Sequence, residues 1–224
     1  MRAEGMERFR TTGVYALTAE KLSRGRTNLE VVDALLQAGV TFLQYREKEK
    51  TAGEMYAECR KIREMTRRAG AVFIVNDCVG LALAVDADGV HIGQDDLPPA
   101  AVRRLIGPDR ILGLSTHSPE QFRQAKESGL VDYAGVGPVY ATQTKADVCA
   151  AVGLDYVRFA AEEGGLPFVA IGGIKPGNLA AVAAAGARTV AVVSDLVGAE
   201  DIAAKVAELR DILRGGPQRP FEFE

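Results

Sequence analysis

The chain has 224 residues, 47% of them hydrophobic, and a formal charge of -3 at pH 7. That apolar share is enough for one substantial core, and α/β barrels of about 200–250 residues commonly stay undivided. The near-neutral charge argues against a broad basic face for nucleic acid or an anionic membrane, and no apolar run approaches the roughly 18 residues that suggest a membrane span.

In chain order, the opening stretch "MRAEGMERFR" has no apolar h-region, so no secretory signal is expected, and residues 1–12 are read as an N-terminal extension. Short β-branched runs then alternate with helix-period segments. The strand candidates are 13–18, 42–47, 72–77, 89–93, 111–116, 133–139, 168–173 and 189–194. Helical patterns such as "LEVVDALLQAG", "PEQFRQAKESG" and "AEDIAAKVAELRDIL" follow them, and several stop at Gly just before the next strand. Nearly continuous apolar strands separated by helices predict a parallel sheet covered by helices. Eight such units predict an α/β fold, a closed (β/α)8 TIM barrel in a single domain over residues 13–213. Residues 214–224, ending "PQRPFEFE", are read as a C-terminal tail.

Cys59, Cys78 and Cys149 are scattered and form no C-x-x-C pair. They are read as small structural thiols in a reducing, cytoplasmic setting. No Ser/His/Asp spacing suggests a catalytic triad.

In such a barrel, chemistry gathers where the strands end. Here those ends are polar: "QYREK" at 44–48, "ND" at 76–77, "QDD" at 94–96, "STH" at 115–117 and "TQTK" at 142–145. Asp77 and Asp96 follow consecutive strands, which lie roughly 5 Å apart. Two carboxylates so close share a proton or a cation, and one or two carboxylates plus substrate phosphates suit Mg²⁺. Each Asp also has an ordinary role open to it, capping the following helix. Asp95 is the adjacent alternative ligand, with its side chain expected to point elsewhere.

Alternation puts Gln44, Arg46 and Lys48 on one side of an extended segment. Arg offers a planar fork for phosphate oxygens and Lys a compact charge; a merely solvated charge run is the plain alternative. After the sixth strand, Thr142, Thr144 and Lys145 are phosphate-contacting types on a Gly- and Pro-punctuated loop. After the seventh and eighth, Gly172 and Gly173 allow close backbone approach, and Val193 and Ser194 stand where barrels often receive a phosphate. His91, inside a strand, is read as a core histidine. His117, beside Ser115, is the preferred site histidine. The pocket therefore has two anion-binding ends, one with acids and a metal, one metal-free.

The ordered set "QYREK", "ND", "HIGQDD", "GLSTH", "GPVYATQTK", "AIGGI" and "VVS" resembles the thiamine-phosphate synthase (thiamine-phosphate pyrophosphorylase) family, over about residues 13 to 213. The resemblance implies a transferase that joins hydroxymethylpyrimidine diphosphate to a thiazole phosphate. It implies that Gln44, Tyr45, Arg46, Glu47, Lys48, Asn76, Ser115 and Lys145 meet the pyrimidine diphosphate. Of these, Arg46, Lys48, Lys145 and Ser115 act in catalysis, and Asp77 and Asp96 hold Mg²⁺. Thr142, Thr144, Gly173, Val193 and Ser194 then meet the thiazole phosphate or product. The implied reaction is dissociative, which explains why no strong general base stands out. Two departures are visible: Cys78 stands where relatives carry Arg, and "ADVCAAVG" lacks a more basic or Pro-containing loop. The partners implied are two small phosphorylated molecules, with no nucleic acid and no membrane; monomer and homo-oligomer are both open. The rival readings are a thiazole tautomerase of the same fold, a non-catalytic barrel that binds thiamine phosphate, and a phosphosugar isomerase sharing only the phosphate end.

Overall fold

The computed structural model describes residues 2–142 and 150–215. Its order is α1 (Arg2–Thr11), β1 (Val14–Leu17), α2 (Asn28–Gln37), β2 (Phe42–Tyr45), α3 (Ala52–Ala69), β3 (Val72–Asn76), α4 (Val79–Ala84), β4 (Gly89–Ile92) and α5 (Pro99–Ile106). It continues with β5 (Ile111–Thr116), α6 (Pro119–Ser128), β6 (Tyr133–Val136), α7 (Gly153–Glu163), β7 (Phe168–Ile171), α8 (Pro176–Ala184), β8 (Val190–Val192), α9 (Ser194–Val197) and α10 (Ile202–Gly215). The strands close into one barrel in sequence order, each parallel to the next, and β1 pairs with β8.

Helix starts and stops follow local chemistry. Thr27 and Thr51 each form a capping box with the Glu three residues on, Glu30 and Glu54. Gly70 and Gly129 end α3 and α6 in the left-handed conformation that glycine adopts without steric cost.

Most strands are buried on both faces, and alternation splits their side chains into two layers. Leu43, Tyr45, Phe73, Val75, Val90 and Leu112 pack outward against the helices. Tyr15, Phe42, Ile74, Ile111, Tyr133 and Val169 fill the interior.

Residues 2–11, set outside the barrel as an extension by the sequence reading, form a helix that belongs to this interior. Met6 and Phe9 of α1 are buried in the inner cluster. Gly5 of α1 lies against Ile111, the first residue of β5, so α1 closes the N-terminal mouth of the barrel. Phe9 sits 5.2 Å from the Phe42 ring and 4.7 Å from the Tyr133 ring, contacts worth about 0.5–1.5 kcal/mol each beyond burial. With α1 packed across that end, the C-terminal ends of the strands are, among the described residues, the ends left for a ligand. At the other terminus, α10 runs through Gly215, two residues past the expected domain end, and the rest of the tail lies outside the described residues.

Candidate active site

The β2 end separates its side chains by parity. Gln44 points inward, 3% exposed, and its Nε2 donates to the Tyr15 hydroxyl at 2.7 Å. The Arg46 amide donates to Thr18 Oγ1 at 2.8 Å, anchoring the segment to β1. Lys48 reaches the neighbouring strand end, where its Nζ pairs with Asp77 Oδ2 at 2.5 Å. Tyr45 and Glu47, of the opposite parity, turn away. The Tyr45 hydroxyl donates to Glu58 on α3 at 2.6 Å, and burial, then the Glu58 carboxylate, pushes its phenol pKa up. Glu47 accepts from the Glu20 amide and from Asn28 Nδ2. The structure therefore does not bring these two side chains to the barrel mouth; they brace the strand from behind.

Asp77 follows β3 with φ 59°, a conformation that Asp tolerates better than most residues. Its amide donates to the His91 carbonyl at 2.8 Å, tying the ends of β3 and β4 together. Half-buried Asn76 ends β3 in register with His91. Asp96 lies on the exposed turn after β4, where its Oδ2 accepts the Gly93 amide at 2.7 Å. It closes that turn rather than capping α5, whose N-cap is Pro98. Asp95 is exposed beside it.

A polar chain crosses the interior beneath this rim. The Tyr15 and Tyr133 hydroxyl oxygens are 2.8 Å apart, Tyr133 Oη lies 3.0 Å from His91 Nδ1, and His91 Nε2 lies 2.9 Å from Ser115 Oγ. Burial pushes both phenol pKa values up, so both are neutral near pH 7. Gln94 Nε2 caps the Ser115 carbonyl at 2.6 Å. His117, the preferred site histidine from sequence, instead sets its Nδ1 2.6 Å from the Gly137 carbonyl. The histidine that touches Ser115 is His91.

The opposite rim is built from backbone. Val139 and Tyr140 amides donate to the Ile171 and Gly172 carbonyls, which laces the β6 loop onto the β7 end. Gly172 and Gly173 have φ of 102° and 63°. A Cβ on Gly172 would lie 2.5 Å from Pro138 Cα, and one on Gly173 would lie 2.7 Å from Tyr140 Cβ. Asn178 Nδ2 donates to the Gly173 carbonyl at 3.0 Å. The two glycines thus admit the neighbouring loop as well as leaving a backbone rim. Val193 and Ser194 stand at the β8 end, where Ser194 opens the four-residue α9. Beside them a groove of about 590 Å³ runs between α9 and α10, but Asp195, Glu200, Asp201 and Glu208 line it and its lysine, Lys205, pairs with Asp195 and Glu208, so it suits a phosphate poorly.

This barrel and rim have close counterparts. A family model described as thiamine monophosphate synthase matches residues 14–196. The chain belongs to that family. It is 56% identical over 213 residues to the thiamine-phosphate synthase of Pelotomaculum thermopropionicum, covering 95% of this chain and 97% of that one. It is 48% identical over 211 residues to the thiamine-phosphate synthase of Caldicellulosiruptor saccharolyticus, covering 94% and 95% of the two chains. The thiamine phosphate pyrophosphorylase structure from Pyrococcus furiosus superposes with a TM-score of 0.83 at 36% identity, over 93% of this chain and 98% of that one.

Of the positions that the resemblance to thiamine-phosphate synthases implicates, Gln44, Arg46, Lys48, Asn76, Asp77, Asp96 and Ser115 follow or end strands β2 to β5. Half-buried Thr142 follows β6, while Thr144 and Lys145, with Cys149, lie outside the described residues. Gly173, Val193 and Ser194 follow β7 and β8. Cys59 is buried, and burial raises its thiol pKa; Cys78 is exposed. Sequence reasoning missed Tyr15 and Tyr133, and it named Gln94 within the polar strand end at 94–96 without giving it a partner. For the two tyrosines the only available signal was a phenol inside a strand that must find a hydrogen-bond partner once buried.

Proposed function

We propose that the chain condenses 4-amino-2-methyl-5-(diphosphooxymethyl)pyrimidine with 4-methyl-5-(2-phosphoethyl)thiazole to give thiamine phosphate and pyrophosphate with Mg²⁺, or with the carboxylated form of that thiazole to give the same two products and carbon dioxide. The observation that carries this is near full-length identity of 56% to a thiamine-phosphate synthase. The strand-end chemistry supports the same reaction. The methylene–oxygen bond breaks, the diphosphate oxygen keeps the electron pair, and the thiazole nitrogen lone pair forms the new carbon–nitrogen bond.

Asp77 and Asp96 fit a hard cation by donor type, and their described hydrogen bonds both fall on Oδ2. Among the described residues no group of three or more His, Cys, Asp or Glu side chains is placed to hold a metal. Two carboxylates therefore need substrate oxygens to complete the shell, as Mg²⁺ sites commonly do. When bound, the ion neutralises charge on the leaving diphosphate.

The chain's own groups do the rest in this reading. Arg46, Lys48 and Lys145 stabilise the charge that grows on the departing group. Lys48 exchanges its pairing with Asp77 for the diphosphate. Gln44, Asn76 and Ser115 hold the pyrimidine, while Thr142, Thr144, Gly173, Val193 and Ser194 hold the thiazole phosphate within attack distance. No helix among the described residues is long and apolar enough to cross a membrane, and scattered cysteines suit a cytoplasmic enzyme.

The test is incubation of the purified chain with both precursors, with Mg²⁺ or with chelator. Thiamine phosphate and pyrophosphate should appear in equal amounts and only with the metal. Absence of product at every metal concentration rejects the assignment and leaves a tautomerase or a silent binding barrel.

A further inference from the structure

The reaction gives the buried chain from Gln44 to Ser115 no proton to carry, yet it is fully connected. Gln44, Tyr15, Tyr133 and His91 are 3%, 1%, 0% and 9% exposed. Its geometry also constrains the neighbouring strands. A Cβ on Gly113 would overlap Tyr133 Cζ and His91 Nδ1, and one on Gly135 would lie 3.4 Å from His91 Cε1. The His91 and Tyr133 rings stack with centroids 5.4 Å apart. Two glycines on adjacent strands thus leave the volume that this contact fills.

Each phenol gives one proton, so a single order of donation connects every link if Tyr15, rather than Tyr133, is the donor of the pair they share. Gln44 turns its amide nitrogen, a donor, toward Tyr15. In that order Tyr15 accepts there and passes its single proton to the Tyr133 oxygen; in the reverse order Tyr15 accepts from both neighbours and His91 carries its hydrogen on Nδ1. In the first order Tyr133 passes its own to His91 Nδ1. His91 is then the neutral tautomer with hydrogen on Nε2, and that hydrogen goes to Ser115 Oγ. Ser115 accepts from behind and turns its hydroxyl proton toward the cavity. At the other end, the Gln44 carbonyl oxygen is the atom left to face a ligand.

We propose that Tyr15, Tyr133 and His91 are positioning residues. Their one-way hydrogen-bond relay makes Gln44 an acceptor and Ser115 a donor toward the pyrimidine ring. This rests on the proposed synthase reading for the identity of the ring. A 4-aminopyrimidine presents an amino donor beside a ring-nitrogen acceptor, complementary to that pair. A 4-oxopyrimidine presents a carbonyl acceptor beside an N–H donor, so both contacts fail. Selectivity is set by groups that never touch the substrate.

The first measurement needs no substrate. The full chain has two histidines, so ¹⁵N-histidine labelling gives two ring systems, assigned with His117→Gln. Long-range ¹H–¹⁵N correlation should show His91 neutral with hydrogen on Nε2. Hydrogen on Nδ1 means the relay runs the other way and overturns the proposal. The second measurement compares kcat/KM for the 4-amino and 4-oxo pyrimidine diphosphates in wild type, Tyr133→Phe and Tyr15→Phe. Losing a link should cut the discrimination about tenfold, with the KM for thiazole phosphate unchanged. In Tyr133→Phe the His91 ring should also show mixed tautomers. Unchanged discrimination in both variants overturns the proposal, whatever happens to their melting temperatures. Failure of the synthase reading is separable: the chain then forms no product from either pyrimidine, while the tautomer spectrum still decides the relay.

Discussion

The two halves of the barrel rim are made of different material. From β2 to β5 the rim is side chains: Lys48 paired with Asp77, Asp96 closing on Gly93, and Ser115 held by His91. Among the described residues, from β6 to β8 it is largely backbone: positive-φ glycines at 172 and 173, with the start of the β6 loop hydrogen-bonded onto Ile171 and Gly172. The difference matches two different tasks. A leaving diphosphate gains charge during the reaction, and formal charges that converge on it lower the barrier. A phosphate that only anchors its substrate keeps its charge throughout, and fixed N–H groups can hold it equally in the ground and transition states. The side-chain half should therefore be sensitive to charge and tolerant of shape, and the backbone half the reverse.

The strongest way to break that distinction is at the acids. Asp77→Asn keeps a residue that accepts positive φ, and Asp96→Asn keeps an acceptor for the Gly93 amide. Each should lose about 10²–10³-fold in kcat/KM, with a melting temperature within about 2–4 °C of wild type. Steady-state kinetics across a Mg²⁺ titration checks this; full activity in either variant removes that residue from the proposed metal site. Lys145→Ala comes next, with kcat lowered about 10–100-fold and the thiazole KM unchanged in single-turnover and steady-state assays. An effect confined to the thiazole KM would give Lys145 the anchoring task of the half from which its loop comes, rather than a task at the leaving diphosphate.

Across the barrel, Gly173→Ala tests shape. A left-handed conformation costs a residue with a Cβ about 1–2 kcal/mol, and the added carbon would also lie 2.7 Å from Tyr140 Cβ. Thermal unfolding should shift down by about 2–8 °C, and the thiazole phosphate KM should rise about tenfold. An unchanged KM in a destabilised variant would limit Gly173 to admitting the loop.

The two halves also differ in how openly the sequence announced them. The strand "VFIVND" is a doubly buried run ending in polar residues, and it became β3, Val72–Asn76, with Asp77 at its end. Such runs are legible because a parallel barrel buries both faces of a strand and spares only its end. Strand parity was legible as well: the period that groups Gln44, Arg46 and Lys48 already sends Tyr45 and Glu47 to the outer face, where they are found. The α1 plug was not legible. Only Met6, Phe9 and a glycine of that helix are buried, too few for an apolar stripe. The Tyr15–Tyr133 contact joins residues 118 positions apart across a closed interior, and no local pattern encodes it. His117 misled through its closeness in sequence to Ser115, whereas His91 reaches that hydroxyl from the adjacent strand.

The smallest effect is expected where the backbone half carries a side chain. Ser194→Ala removes a hydroxyl but leaves the amides of residues 193 and 194 in place. A neutral hydrogen bond is worth about 0.5–1.5 kcal/mol net, so the thiazole phosphate KM should rise about 2–10-fold with kcat unchanged. That pattern means the contact was equally strong before and during reaction. Equal losses in kcat and kcat/KM would mean that Ser194 acts only in the transition state. The contrast between an anchoring half and a reacting half would then fail at β8, and the thiazole phosphate would have to shift as the new bond forms.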